Sequence, residues 1–245
     1  MSAARPCTPA RPDEQSEDDA PTAAGGSATP GWLAQITTVL AGASPDAGAR
    51  LAEEVAHRAD GEVPLAVLHD WFATSVTPLL IERGEDPAED AARLKEVQVL
   101  HRRAARGESV VADAWRTALE PVLRRVFRDA YDVAQATATA HAAASSFALG
   151  RGYSEADADE YGRSYAEMNT RANVTAHAEA NSLALAELLS RAFAHEDAAG
   201  YARTYPGAYT KACIHACAAD DEGRERARAA LADGLARSLT RASTA

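Results

Sequence analysis

The chain has 245 residues, enough for one large helical domain with its own core or two small ones, and its formal charge of −11 gives no general reason to bind nucleic acid or an anionic membrane. Alanine supplies 60 residues against 39 of Leu, Ile, Val and Phe together, a shortage of bulk that would signal disorder were the pattern not helical. Alanine is the best helix former and lets helices approach to the short end of the usual ~8–10 Å spacing, so contact area partly replaces side-chain size.

Residues 1–29 are rich in Pro, Ala, Gly and acid and are expected to form a disordered tail ahead of a single domain over 30–245. They lack the apolar stretch of a secretory signal, and no window of the chain reaches the eighteen or so apolar residues of a membrane span. Cys7, Cys213 and Cys217 are too few for a disulfide framework, which points to a reducing, cytoplasmic setting. Lysine is confined to Lys95 and Lys211 among 25 basic residues, a bias that fits a high-GC bacterial coding sequence.

Thr29-Pro30, Ser44-Pro45 and Asp86-Pro87 each set a capping side chain before a proline at the first helical position, and Gly42, Gly61, Gly84 and Gly107 stand where the preceding helices should stop. The first four helices are therefore predicted over 30–41, 45–60, 64–82 and 87–106. In the third, Leu65, Leu68, Phe72, Val76 and Leu79 recur at three or four, and Pro78 should kink the last turn. His69 borders that stripe and His101 falls within the Leu94, Val97 and Ala104 stripe, both as core-edge histidines.

Beyond Ser109 the only breaker before Gly150 is Pro121, so a short helix to about 119 and a long one over 120–149 are expected. Gly150-Arg151-Gly152 ends it, Ser154 with Asp157 restarts the chain, and the next helix should run to about Glu196. Helices over 206–219 and 221–240 close the chain. The fold class is all-α, a bundle of about eight helices around a long antiparallel helical hairpin.

Within the second long helix Asn169, Asn173, His177 and Asn181 follow one another at intervals of four, and the shift of its apolar face along the helix suggests that all four are interior. Antiparallel pairing about the turn near residue 152 would gather Tyr131, Gln135, Asn169 and Asn173 at one level. His177 would then lie toward Arg128 and Asp129, and His141 toward Tyr161 and Tyr165. A shielded polar cluster of this kind either locks the register of two alanine-rich helices or encloses a ligand.

Established chemistries fit poorly. A magnesium–diphosphate site needs a denser acidic cluster than Asp129 and Asp132, and His177 and Asn181 stand where a hydroxyl and a carboxylate would be required. A di-iron bundle needs two Glu-x-x-His pairs, whereas only Glu54 and His57 form one, and His215 lies roughly opposite Cys213 and Cys217 on their helix. Ser145, Ser146 and His141 share a helix with no acid in sequence reach to orient the histidine. No cofactor or metal is therefore expected.

Three functions remain. The leading one is a non-catalytic cytoplasmic helical protein acting by self-association, as a homo-oligomer, or by macromolecular interaction. The second is a small-molecule-binding protein or enzyme with its pocket between the long helices, where Tyr131, Gln135, His141, Tyr165, Asn169, Asn173, His177 and Asn181 supply polar contacts and Arg124 or Arg128 meets an anionic group. The third is nucleic-acid binding through residues 93–128, where nine basic residues face four acidic ones.

Overall fold

A capping side chain or a proline opens most of the helices. The computed structural model describes residues 31–42, 44–58, 63–82 and 89–244, which form ten helices and no strand. The expected tail, the starts at Pro30 and Pro87, and the stops at Gly61 and Gly84 lie outside the described residues.

Helix α1 (Gly31–Leu40) buries Trp32, Leu33, Ile36 and Leu40 at helical spacing. Helix α2 (Pro45–Ala56) carries Pro45 at its first position, although the Ser44 hydroxyl makes no cap bond. Helix α3 runs continuously through Leu65–Trp71, a π-turn at Phe72–Val76 and Thr77–Glu82. The irregularity expected at Pro78 falls one turn earlier: the Thr77 N–H and hydroxyl both donate to the Phe72 carbonyl, a wider loop that accommodates a proline with no donor of its own.

Helix α4 spans Glu89–Ala105 and ends where Gly107, at φ 75°, takes the left-handed conformation. Helix α5 (Ala112–Asp129) contains Pro121 in its interior, so the predicted boundary near 119 is corrected. The carbonyl deprived of a partner belongs to Thr117, which is exposed and can turn to water. The break comes instead at Ala130–Asp132, where Asp132 Oδ1 accepts from the Gln135 N–H at 2.9 Å and restarts the chain as α6 (Val133–Gly150).

Gly152, at φ 89°, turns the chain into α7 (Glu155–Ala194), whose first turn is closed by Ser154 and Asp157. This 40-residue helix stops two residues before the predicted Glu196, which adopts φ 51°. A short helix missing from the sequence-based assignment, α8 (Ala198–Ala202), is capped by Asp197 on the Gly200 N–H. Helices α9 (Pro206–Cys217) and α10 (Asp221–Thr244) follow.

Every helix except α6 contributes buried apolar side chains to one contiguous core that includes Trp32, Trp71, Trp115, Tyr201 and Phe193. Trp71 is anchored by its indole N–H on the Leu231 carbonyl at 3.0 Å. The C-terminal part of α7 enters this core through Leu185, Leu189 and Phe193. Its N-terminal part does not, and α6 makes its principal contacts with α7 alone.

Candidate functional site

The buried column of α7 along α6 consists of Ala158, Gly162, Ala166 and Thr170, four residues apart and nearly all small. Its closeness is enforced at Gly162, where an added Cβ would stand 2.1 Å from Ser145 Oγ and 3.1 Å from the His141 carbonyl oxygen. Thr137 Oγ1 donates to Thr170 Oγ1 at 3.4 Å farther along the same seam.

The amide stripe lies beside this seam rather than in it. Asn173 and His177 are exposed and Asn169 and Asn181 half-buried, which corrects the expectation of an interior stripe and of a polar core. The physical reason is the seam itself: two helices drawn together by alanine and glycine exclude an amide, and among the described residues only Phe127 and Tyr131 reach the flank, at His177. The side chains bond along their own helix instead. Asn173 Nδ2 donates to Asn169 Oδ1 at 2.8 Å, Asn169 Nδ2 to the Tyr165 hydroxyl at 3.4 Å, and Asn181 Nδ2 to the His177 carbonyl at 2.8 Å.

Few of the anticipated gatherings form. Half-buried Tyr131 meets His177 with ring centroids 5.4 Å apart, and Phe127 meets it at 6.0 Å, in place of Arg128 and Asp129. Gln135 is exposed and donates to Thr139 on its own helix. Tyr165 stacks on Tyr161 at 6.3 Å, away from His141. His141 finds Asp159, whose Oδ1 lies 3.0 Å from its Nε2, so the facing helix supplies the acid that sequence spacing did not reveal. No nucleophile completes that pair, because the Ser145 hydroxyl is buried against Gly162.

On the opposite flank α6 and α7 enclose an open groove of about 870 Å³, floored by Val133, Ala134, Thr137, Ala138, Thr170 and Val174. Arg163, Glu167 and Arg171 line its α7 edge. The same two-helix unit carries nine of the twelve exposed large apolar side chains among the described residues, from Val133 to Leu188.

The basic segment is largely compensated. Arg103, Arg106, Arg116, Arg124, Arg125 and Arg128 each have a carboxylate within 3.4 Å, which provides locally the countercharge that an anionic partner would bring. Arg124 pairs with Glu120 and Arg128 with Asp129, neither of them directed to the amide stripe.

His69 and His101, expected as separate core-edge residues, form a titratable pair in the deep core. His69 and His101 are 2% and 1% exposed, and their Nδ1 atoms are 2.9 Å apart, so one neutral ring donates to the other. His69 stacks on Trp115 at 5.5 Å and His101 on Phe72 at 4.8 Å, with the Phe193 edge against both. Burial pulls His69 from 6.5 down to about 4, and burial together with the neighbouring His69 holds His101 well below 6.5. The sequence signal was there: each histidine sits three or four residues from leucines or valines on the buried stripe of its helix.

Cys213 and Cys217 are buried thiols that form no disulfide with each other, and burial pushes up the pKa of Cys213, which is hydrogen-bonded to Tyr209. Among the described residues no three His, Cys, Asp or Glu converge as metal ligands, and no helix is long and apolar enough to cross a membrane. No family model matches the chain, and no curated protein or solved structure shows significant similarity to it.

Proposed function

We propose that this is a non-catalytic cytoplasmic helical protein that acts by self-association, and that α6 with the N-terminal part of α7 forms a long antiparallel hairpin serving as its docking arm. The observation that carries this reading is the open apolar groove between two helices whose facing parts lie outside the core cluster, on an arm that also exposes Val133, Phe147, Leu149, Tyr153, Tyr161, Tyr165 and Met168. Single exposed apolar residues are ordinary on a protein surface, whereas several on one two-helix unit with an apolar groove support a contact site. A twofold dimer would turn each groove toward its counterpart and bury both in a four-helix arrangement.

Ala138→Glu tests this directly. Ala138 is exposed on the groove floor, so a charge there leaves the fold intact while placing a carboxylate in the contact. Light scattering and sedimentation should give a dimer for the parent chain and a monomer for the variant. A parent that stays monomeric at high concentration refutes the reading.

The groove volume supports a second function, lodging an apolar molecule with an anionic end toward His141 and Arg163. It would be detected as a thermal shift across a metabolite panel. The groove is open along its length and has fewer converging polar groups than an enclosed ligand site, so self-association is the stronger reading.

A further inference from the structure

We propose that a second groove, on the body of the bundle, binds a small organic phosphate monoester through Arg102, Arg106 and Arg241. The site is built from other helices than the arm and stands whether or not the chain self-associates. Helix α3 packs against both α4 and α10, and where the three meet they leave a groove of about 510 Å³. Val67, Ala73 and Ala105 give it an apolar floor. Arg102 and Arg106, at the end of α4, and Arg241, near the end of α10, line it together with Asp70.

The three arginines differ in how far the chain itself occupies them. Arg241 is held in place: its Nε donates to Asp70 Oδ2 at 3.1 Å, and its Nη2 donates to the same oxygen, to Ser238 Oγ at 3.0 Å and to Thr74 Oγ1 at 3.3 Å. Its Nη1 makes no hydrogen bond among the described residues. Arg106 donates through Nε and Nη2 to Glu108 Oε1, at 2.9 and 2.6 Å, which leaves its Nη1 equally unused. Glu108 is shared, because Arg103 takes its other oxygen at 3.0 Å. Arg102 is exposed and has no ion pair or hydrogen bond among the described residues. Around the groove four arginines therefore meet two carboxylates, Asp70 and Glu108, a local excess of positive charge in a chain whose formal charge is −11.

That excess matches a phosphate monoester, which carries about −1.5 to −2 charge at neutral pH. Guanidinium groups suit its oxygens because their planar forks donate two N–H groups at once. Arg241, already fixed by Asp70, Ser238 and Thr74, gives up little freedom on binding, and Arg102 brings a whole unoccupied fork. The apolar floor accounts for the rest of the ligand: Val67 and Ala73 are buried at the base of the groove and would receive an organic group that inorganic phosphate lacks.

Isothermal titration of the full chain with phenyl phosphate at low salt tests the site. Phenyl phosphate should bind saturably, at least about fivefold more tightly than inorganic phosphate because the floor buries its ring, and more tightly than singly charged benzoate. Arg102→Gln removes an exposed, unpaired side chain, so it should melt like the parent and bind phenyl phosphate about tenfold more weakly. Arg163→Gln, on the arm groove, should bind it as the parent does. No saturable binding overturns the proposal, and so does an affinity that Arg102→Gln leaves unchanged or that Arg163→Gln lowers as much. Inorganic phosphate binding as tightly as phenyl phosphate would overturn the role of the floor, and benzoate binding as tightly would overturn the choice of phosphate. None of these outcomes bears on whether the parent chain is a dimer.

Discussion

Acid should weaken this fold earlier than its carboxylates require, through the buried histidine pair. The unfolded chain titrates His69 near 6.5 and the folded chain near 4, so the unfolded state takes up protons first as pH falls. The contribution is fully present above 6.5 and is lost progressively between 6.5 and 4. At about 1.4 kcal/mol per unit, the interval corresponds to about 3 kcal/mol for His69 over the whole window and about 2.5 kcal/mol by pH 4.5. His101, shifted in the same direction by burial and by His69, adds to the loss in the same sense. The His69 contribution alone is a sizeable part of the ~5–15 kcal/mol that holds a typical domain together. The assay is urea denaturation of the parent and of a His69→Leu/His101→Leu double variant at intervals from pH 7.5 to 4.5. The double substitution removes both members of the hydrogen bond and leaves no orphan, so the variant should fold at neutral pH and show a much flatter decline. Parallel curves for parent and variant below pH 6.5 would refute the reasoning, because carboxylate effects are common to both.

Gly162→Leu should force α6 and α7 apart, since even a Cβ collides with Ser145 and with backbone at His141; a loss of about 1–3 kcal/mol is expected, read as accelerated amide exchange across α6. Asn173→Ala should change the melting free energy by less than about 0.5 kcal/mol, because its bond to Asn169 lies on an exposed face; a loss above ~1 kcal/mol would mean that the stripe is shielded after all. Trp71→Phe should cost about 1–3 kcal/mol in chemical denaturation through the lost bond to the Leu231 carbonyl and the smaller ring.

The body of the bundle was legible because large apolar residues recur at helical spacing there. The Leu65, Leu68, Phe72 and Val76 stripe of α3 and the Ala227, Leu231, Leu235 and Leu239 stripe of α10 are all buried. The helix ends were legible where a cap or a left-handed glycine is written into the chain, as at Ser154 and Gly107. Pro121 misleads because a proline inside a helix costs little structure when the carbonyl it leaves without a donor faces solvent, whereas Asp132, eleven residues later, carries the cap that restarts the chain after the break. The π-turn of α3 has no local spacing signature; it precedes Pro78, which has no N–H to donate, and is closed by the Thr77 N–H and hydroxyl both donating to the Phe72 carbonyl.

The arm was harder to read, since its inward direction is marked by the absence of side-chain bulk. In an alanine-rich helix several columns look equally apolar, and the eye goes to the conspicuous amides. Yet Ala158, Gly162, Ala166 and Thr170, one position C-terminal to the stripe from Tyr161 to Asn173, are the residues small enough for the separation that Gly162 imposes. Once that column is assigned inward, the positions on either side become flanks by geometry alone, about 100° away in opposite senses. One flank then carries amides that bond along their own helix, and the other carries charges already paired within the chain, Asp159 with Arg163 and His141, and Glu167 with Arg171. Amides satisfied by their own helix demand no partner, so the proposed contact falls on the flank that holds the groove.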